Sequence, residues 1–129
     1  MSKIKSAKSS GRGVGNSFEG VKQFMDKVTP PMQGGAEPML TGEVAYTCNS
    51  DTQAKSGGNR RLTAIGALCR VFIGEDTQGD MLRAHGNSML KKLPSAAGNM
   101  DFYRWYYATL AMFQMGGNYW KEWNEAMKK

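Results

Sequence analysis

The sequence has few of the residues from which metal and catalytic sites are built. It contains one histidine, His85, and two cysteines, Cys48 and Cys69, with no Cys-x-x-Cys pair. A structural zinc site needs four ligands at set spacings, which excludes a cysteine–histidine zinc cluster. One histidine, and no serine in a nucleophile-elbow pattern, also argue against a catalytic triad. We therefore expect no metal, no cofactor and no assignable catalytic residue, and we interpret His85 as a structural side chain.

Long apolar runs are missing as well. No segment is apolar for long enough to serve as a signal peptide or as a membrane-spanning helix. We therefore predict a cytoplasmic protein without a membrane span, in which a Cys48–Cys69 disulfide is not expected. At 129 residues, the chain is long enough for one domain that buries a core.

Acidic residues are absent from the start of the chain up to Glu19. The preceding residues are rich in serine and glycine and carry four basic side chains, Lys3, Lys5, Lys8 and Arg12. This composition is typical of a disordered basic tail, which we assign to residues 1–16, followed by one domain over residues 17–129. Such a tail can bind nucleic acid, but four charges give weak affinity, so we favour a solubilising role. A nucleic-acid binder acting through this tail is a minor alternative.

Apolar residues recur at helical spacing in five segments. The predicted helices run from Asn16 or Ser17 to Val28, from Arg61 to Ile73, from Thr77 or Asp80 to Leu93, from Asp101 to Gly116 and from Asn118 to Met127. Proline or glycine ends the first four, because proline cannot continue a helix and glycine closes one. Residues 32–60 favour an irregular loop or small hairpin, with a short extended segment over 43–47. Within the second helix, a strip of small residues would let another helix approach closely: Thr63, Gly66 and Ala67.

The stretch from Asp101 to Trp123 holds most of the aromatic residues of the chain. At helical spacing, one stripe contains Phe102, Tyr106, Leu110 and Phe113, and a second stripe beside it contains Tyr103, Tyr107 and Ala111. A stripe of that width predicts a helix that is buried around most of its circumference. Within it, we expect Arg104 to extend toward solvent or to pair with an acid such as Asp101.

The helices repeat with an offset of about 42 residues. Leu68 matches Leu110, Gly74 matches Gly116, and Asp80-Met81 matches Glu122-Trp123. The predicted order is therefore an alternation of amphipathic and apolar helices, with half of a third pair at the end. Helix pairs with a period of 40 to 50 residues are typical of an α-solenoid or an α/α toroid.

These segments resemble a known family. The runs LTAIGALCRVFIGED and DFYRWYYATLAMFQMGGNYWKEWNEAM are similar to the prenyltransferase and squalene-cyclase repeat superfamily, and most of all to its uncharacterised bacterial squalene-cyclase-like members. The resemblance covers Phe18 to Met127. Gln114 and Trp120 have the six-residue separation of the structural glutamine–tryptophan motif of squalene cyclases, although Gly117-Asn118 reverses the order that this motif has. The resemblance implies two concentric rings of helices, apolar inside and amphipathic outside.

The catalytic motifs of that superfamily are missing. The chain has no Asp-x-Asp-Asp run of squalene–hopene cyclases and no Asp-Cys-Thr-Ala-Glu run of oxidosqualene cyclases. The Asp-x-Cys zinc pair of protein prenyltransferases is absent too, because Tyr46 and Ala67 stand where the aspartate would precede Cys48 and Cys69. The chain also holds about two and a half helix pairs, where a full ring of this superfamily has five to seven.

We therefore predict an all-α fold, a partial α/α toroid of about five helices. We expect a non-catalytic module that binds a protein partner, another copy of itself or an apolar, isoprenoid-like ligand. The alternative is an enzyme related to terpenoid cyclases or prenyltransferases whose catalytic acids are displaced or supplied by a partner. The chain would be a homo-oligomer or would require the remainder of a longer toroid. The expected binding surface is the apolar inner face, centred on Leu62, Ile65, Tyr103, Tyr106 and Tyr107.

Overall fold

The computed structural model describes residues 17–29, 31–32, 39–40, 42–44, 60–98 and 100–129. Five helices lie in this part of the chain: α1 over residues 17–28, α2 (Arg60–Phe72), α3 (Asp80–Leu90), α4 (Phe102–Met115) and α5 (Gly117–Met127). The all-α prediction is therefore confirmed. The predicted basic tail, and most of the loop region that follows α1, lie outside the described residues.

A short antiparallel pair of strands follows α1. Strand β1 (Pro31–Met32) pairs with β2 (Met39–Leu40), with Pro31 opposite Leu40 and Met32 opposite Met39. The extended segment predicted over 43–47 forms no strand in its described part, residues 43–44, and the rest of it lies outside the described residues.

Four of the five helices end within one residue of the predicted position, but α3 ends at Leu90 and not at the predicted Leu93. The hydroxyl of Thr29 donates to the carbonyl of Met25 at 2.7 Å, immediately before the prolines that prevent α1 from continuing. After α2, the N–H of Gly74 donates to Val71 and the N–H of Glu75 donates to Arg70, at 3.1 and 3.0 Å. This pair of bonds is the Schellman motif that closes a helix.

The connection from α4 to α5 is a single glycine. Gly116 has a φ of 67°, in the left-handed region that side chains with a Cβ rarely adopt. Its N–H still donates to the carbonyl of Met112 at 3.0 Å, so α4 is completed before the chain turns. Because of this sharp turn, α5 begins at the next residue and packs back along α4.

The helices form two layers. Arg61, the second residue of α2, pairs with Asp101, which precedes α4, at 2.8 Å, so these two helices begin at the same end of the molecule. Helices α2 and α4 lie side by side and make the most extensive helix–helix contact of the described part. Helices α3 and α5 pack against them and against each other. The molecule is therefore two adjacent helical hairpins, with α2 and α4 in one layer and α3 and α5 in the other.

The main core lies between the two layers. All four alanines of this core lie on α2 and α4, and its one tryptophan lies on α5; the buried residues are Ala64, Ala67, Leu68, Leu82, Met89, Ala108, Ala111, Met112, Met115 and Trp123. A second cluster joins α1 to the far side of α2 through Met25, Val28 and Val44. Two residues of the small-residue strip of α2 lie there: Thr63 accepts from the N–H of Val44 at 3.0 Å, and Gly66 leaves room for Val44 and for Met25 of α1. The third, Ala67, lies in the main core.

The 42-residue offset relates α2 to α4 but not α3 to α5. Arg60 and Phe102, the first residues of α2 and α4, are 42 positions apart. Helix α3, however, begins only after a turn of several residues, whereas α5 follows Gly116 directly. The predicted match of Asp80 with Glu122 is therefore wrong, since Asp80 is the first residue of α3 and Glu122 lies in the middle of α5.

Candidate functional site

Helix α4 turns five large apolar side chains away from the core, while Trp105 and Tyr107 are half-buried against it. Its buried residues fall on one stripe: Arg104, Ala108, Ala111, Met112 and Met115. On the opposite side are the exposed residues Phe102, Tyr103, Tyr106, Leu110 and Phe113. The prediction that this helix is buried around most of its circumference is therefore wrong. Alanines at 108 and 111 let α4 approach α2 closely, and aromatic rings at those positions would hold the two helices apart.

These five exposed residues form what we call the aromatic face of α4. Phe102, Tyr103, Tyr106 and Phe113 are each between 53% and 65% exposed. On the neighbouring helix α2, Phe72 is 70% exposed. Phe102, Leu110 and Phe113 are not among the binding residues predicted from the sequence, because their stripe is interpreted there as part of a mostly buried helix.

The three predicted tyrosines lie together. The ring of Tyr107 contacts Tyr103 and Tyr106 edge to face, with centroids 5.0 and 5.2 Å apart. The pKa of Tyr107 is raised, first because the neighbouring phenol of Tyr103 disfavours a second negative charge, and then because of partial desolvation. The hydroxyl of Tyr107 therefore stays protonated at physiological pH.

The two predicted residues of α2 are less exposed. Leu62 is half-buried and packs against the cluster of Met25, Val28 and Val44. Ile65 is also half-buried. Tyr107 is half-buried as well, so among the five predicted residues only Tyr103 and Tyr106 are exposed.

One ion pair borders the aromatic face. The guanidinium of Arg61 contacts the carboxylate of Asp101 at 2.8 Å, which raises the pKa of Arg61. Partial desolvation would raise the pKa of Asp101, but hydrogen bonds from the Arg61 side chain and from the N–H of Arg104 outweigh it and lower this pKa. Asp101 also caps α4, as predicted, by accepting from the N–H of Arg104 at 3.1 Å.

Arg104 is turned into the molecule. Its guanidinium donates to the carbonyls of Met89 and Lys92, at 3.1 and 2.7 Å, at the C-terminal end of α3. It also lies 5.5 Å from the ring centre of Trp123, a cation–π distance. The expectation that Arg104 reaches solvent or pairs with Asp101 through its side chain is therefore wrong. Carbonyl oxygens at the C-terminal end of a helix carry partial negative charge, which favours a cation there.

His85 is a structural residue, as predicted. It is fully buried, and its Nδ1 lies 2.8 Å from the carbonyl oxygen of Gly42. Burial lowers its pKa from 6.5 to about 4, although the Gly42 carbonyl opposes this effect. Gly42 is itself in close contact, since a Cβ there would meet the Ala84 carbonyl. The bond from His85 therefore holds residues 42–44 against α3.

A polar cleft of about 530 Å³ lies between α1, the end of α2 and the start of α3. Its acidic residues include Asp26 and Glu75, which contact the buried guanidinium of Arg70 at 2.8 and 2.6 Å. These carboxylates neutralise a buried cation and join three segments of the chain. The role of Asp26 and Glu75 in this cleft is therefore structural.

The described residues contain no group of three or more histidine, cysteine, aspartate or glutamate side chains that could hold a metal ion. In the same part of the chain, no helix has both the length and the apolar character needed to cross a bilayer. Comparison with protein-family models, with curated proteins and with solved structures found no match.

Proposed function

We propose that this protein is a non-catalytic helical module that binds a partner through the aromatic face of α4 and the adjoining exposed side of α2. One observation carries this proposal: four aromatic side chains of α4, those of Phe102, Tyr103, Tyr106 and Phe113, are more than half exposed, while its alanines lie in the core. Contiguous apolar patches of this kind are uncommon on monomeric proteins and mark interaction surfaces.

The squalene-cyclase-like repeat is the structural frame that we propose for this module. In such a toroid, α2 and α4 would be inner helices, and α3 and α5 would be outer helices. The parallel arrangement of α2 and α4, with α3 and α5 on one side of them, is compatible with this frame. The aromatic face would then be part of the inner surface. An enzymatic role for that surface stays a prediction from the resemblance.

Binding of an environment-sensitive apolar dye, measured together with sedimentation velocity, tests the proposed function. Both measurements are needed, because a face that a partner already covers cannot bind dye. We expect that the protein either binds dye as a monomer or associates. The variant Tyr106→Glu should abolish whichever of the two occurs. The matched control is Phe24→Glu, since Phe24 is 54% exposed but lies on α1. A monomer that binds no dye would contradict the proposal.

A further inference from the structure

The exposed side of α4 has the spacing of a helix–helix seam. Tyr103, Tyr106, Leu110 and Phe113 follow one another at intervals of three, four and three residues. Intervals of three and four residues keep side chains on the seam between two helices that pack lengthwise, as in coiled coils. The surface therefore fits a second helix better than it fits a compact ligand.

The same spacing is symmetric about its own centre. Reversing the direction of the helix around a point halfway between Tyr106 and Leu110 exchanges Tyr103 with Phe113 and Tyr106 with Leu110. A two-fold axis at that point would therefore place Tyr103 of one copy against Phe113 of another copy, and Tyr106 against Leu110. Dimers with such isologous interfaces are the commonest form of symmetric assembly.

The exposed area of the aromatic face approaches that of a dimer interface. Its four aromatic residues, Phe102, Tyr103, Tyr106 and Phe113, are between 53% and 65% exposed. A fully buried aromatic side chain removes about 150–250 Å² from water, so these four rings offer roughly 350–600 Å² per copy. Stable interfaces bury about 800 Å² per partner, and about 1,000 Å² in total is a lower bound. Leu110 and the margins of the face add to this area.

The absence of charge on the face restricts its partner. None of its five residues on α4 is ionisable near neutral pH, the guanidinium of Arg104 faces inward, and Arg61 at the border is paired with Asp101. Helices that bind anionic membrane surfaces carry lysine and arginine beside their apolar side. The surface complementary to the aromatic face is another apolar, uncharged helix seam. A second copy of this chain provides such a seam.

We propose that two copies of this chain associate through their aromatic faces, with the α4 helices antiparallel around a two-fold axis between Tyr106 and Leu110. This inference rests on the proposed function and specifies the partner. In the dimer, Tyr103 of each copy contacts Phe113 of the other. The polar outer layer, α3 and α5, remains in contact with water on both sides.

Sedimentation equilibrium on the full chain and on charge variants tests this arrangement. We expect a dimer for the unchanged protein and a monomer for Tyr103→Lys and for Phe113→Glu, because each places two unpaired charges in the interface. The double variant should regain the dimer, since each lysine would then face a glutamate of the other copy. Phe24→Glu should remain dimeric. Circular dichroism checks that each variant is folded, and Tyr106→Lys with Leu110→Glu is a second pair of the same design.

Each other result overturns the proposal. If the unchanged protein is a monomer that binds apolar dye or phosphatidylcholine vesicles, the partner is not a second copy, while the proposed function stands. If it is a monomer that binds neither, the proposed function fails as well. A dimer that survives Phe113→Glu would use another surface. Monomeric single variants without recovery in the double variant would exclude the two-fold pairing of Tyr103 with Phe113.

Discussion

The two sides of α4 have opposite relations between side-chain size and burial. On the inner side, Ala108 and Ala111 are fully buried beside Met112. On the outer side, Phe102 and Phe113 are 65% and 60% exposed. Burial of large apolar groups contributes more to stability than burial of small ones. When this chain folds alone, much of the apolar area of α4 therefore stays in contact with water. The difference shows that the distance between neighbouring helices decided which residues of α4 lie on the inner side. The residues of the outer side remain exposed, so a partner can contact them.

The strongest test of the inner side is Trp123→Ala. Trp123 is fully buried in α5, and its Nε1–H donates to the hydroxyl of Thr109 on α4 at 2.9 Å. Its removal leaves a cavity and an unpaired hydroxyl, so we expect the free energy of unfolding to fall by about 3–5 kcal/mol. Urea denaturation followed by circular dichroism measures the change. Trp120→Ala is the matched control on the same helix and should cost less, because Trp120 is only half-buried. Equal costs would contradict the assignment of Trp123 to the core.

Acid should weaken the inner side through His85. Burial lowers the pKa of His85 from 6.5 to about 4, so between these pH values the unfolded chain binds a proton that the folded protein does not. Its contribution to stability is complete above about pH 6.5 and falls as the pH decreases toward 4, by about 3 kcal/mol. Stability curves from pH 7.5 to 4 measure this loss. His85→Asn can still donate to Gly42 but does not titrate, so its stability should depend less on pH. If the two proteins lose stability equally as the pH falls, the loss does not come from His85.

The outer side should tolerate truncation of a large ring. For Phe113→Ala we expect a loss of about 1 kcal/mol or less at protein concentrations low enough to keep the chain monomeric. The reason is that Phe113 loses mainly one edge-to-face contact, with Trp120 at 5.2 Å. The neighbouring variant Met112→Ala removes a fully buried side chain and should cost several times more. Similar losses for these adjacent positions would mean that the two sides of α4 are equally buried.

Much of the local structure could be predicted from the sequence. Asp101 caps α4, Gly74 and Gly116 end α2 and α4, and the prolines after Thr29 end α1. These features depend on backbone geometry and on a few neighbouring residues in the sequence. Each can therefore be predicted from its own chain segment. The candidate site was predicted in part, since Tyr103, Tyr106 and Tyr107 do lie together.

The orientation of α4 could not be predicted in the same way. Aromatic or aliphatic residues occur on nearly every side of this helix, so spacing alone does not distinguish the core side from the outer side. The tertiary structure selects the side with Ala108 and Ala111, because small residues there allow close packing against α2. The inward position of Arg104 has a similar origin, since its acceptors, Met89 and Lys92, belong to another helix.

The sequence by itself therefore determined the ends of α1, α2 and α4, where proline or glycine stops the helix, and the Asp101 cap of α4. Only the tertiary structure decided which side of each helix is buried, because burial depends on how closely neighbouring helices approach. Small side chains on α4 permit a close approach, and five large apolar side chains on its other side remain exposed, where a partner can cover them.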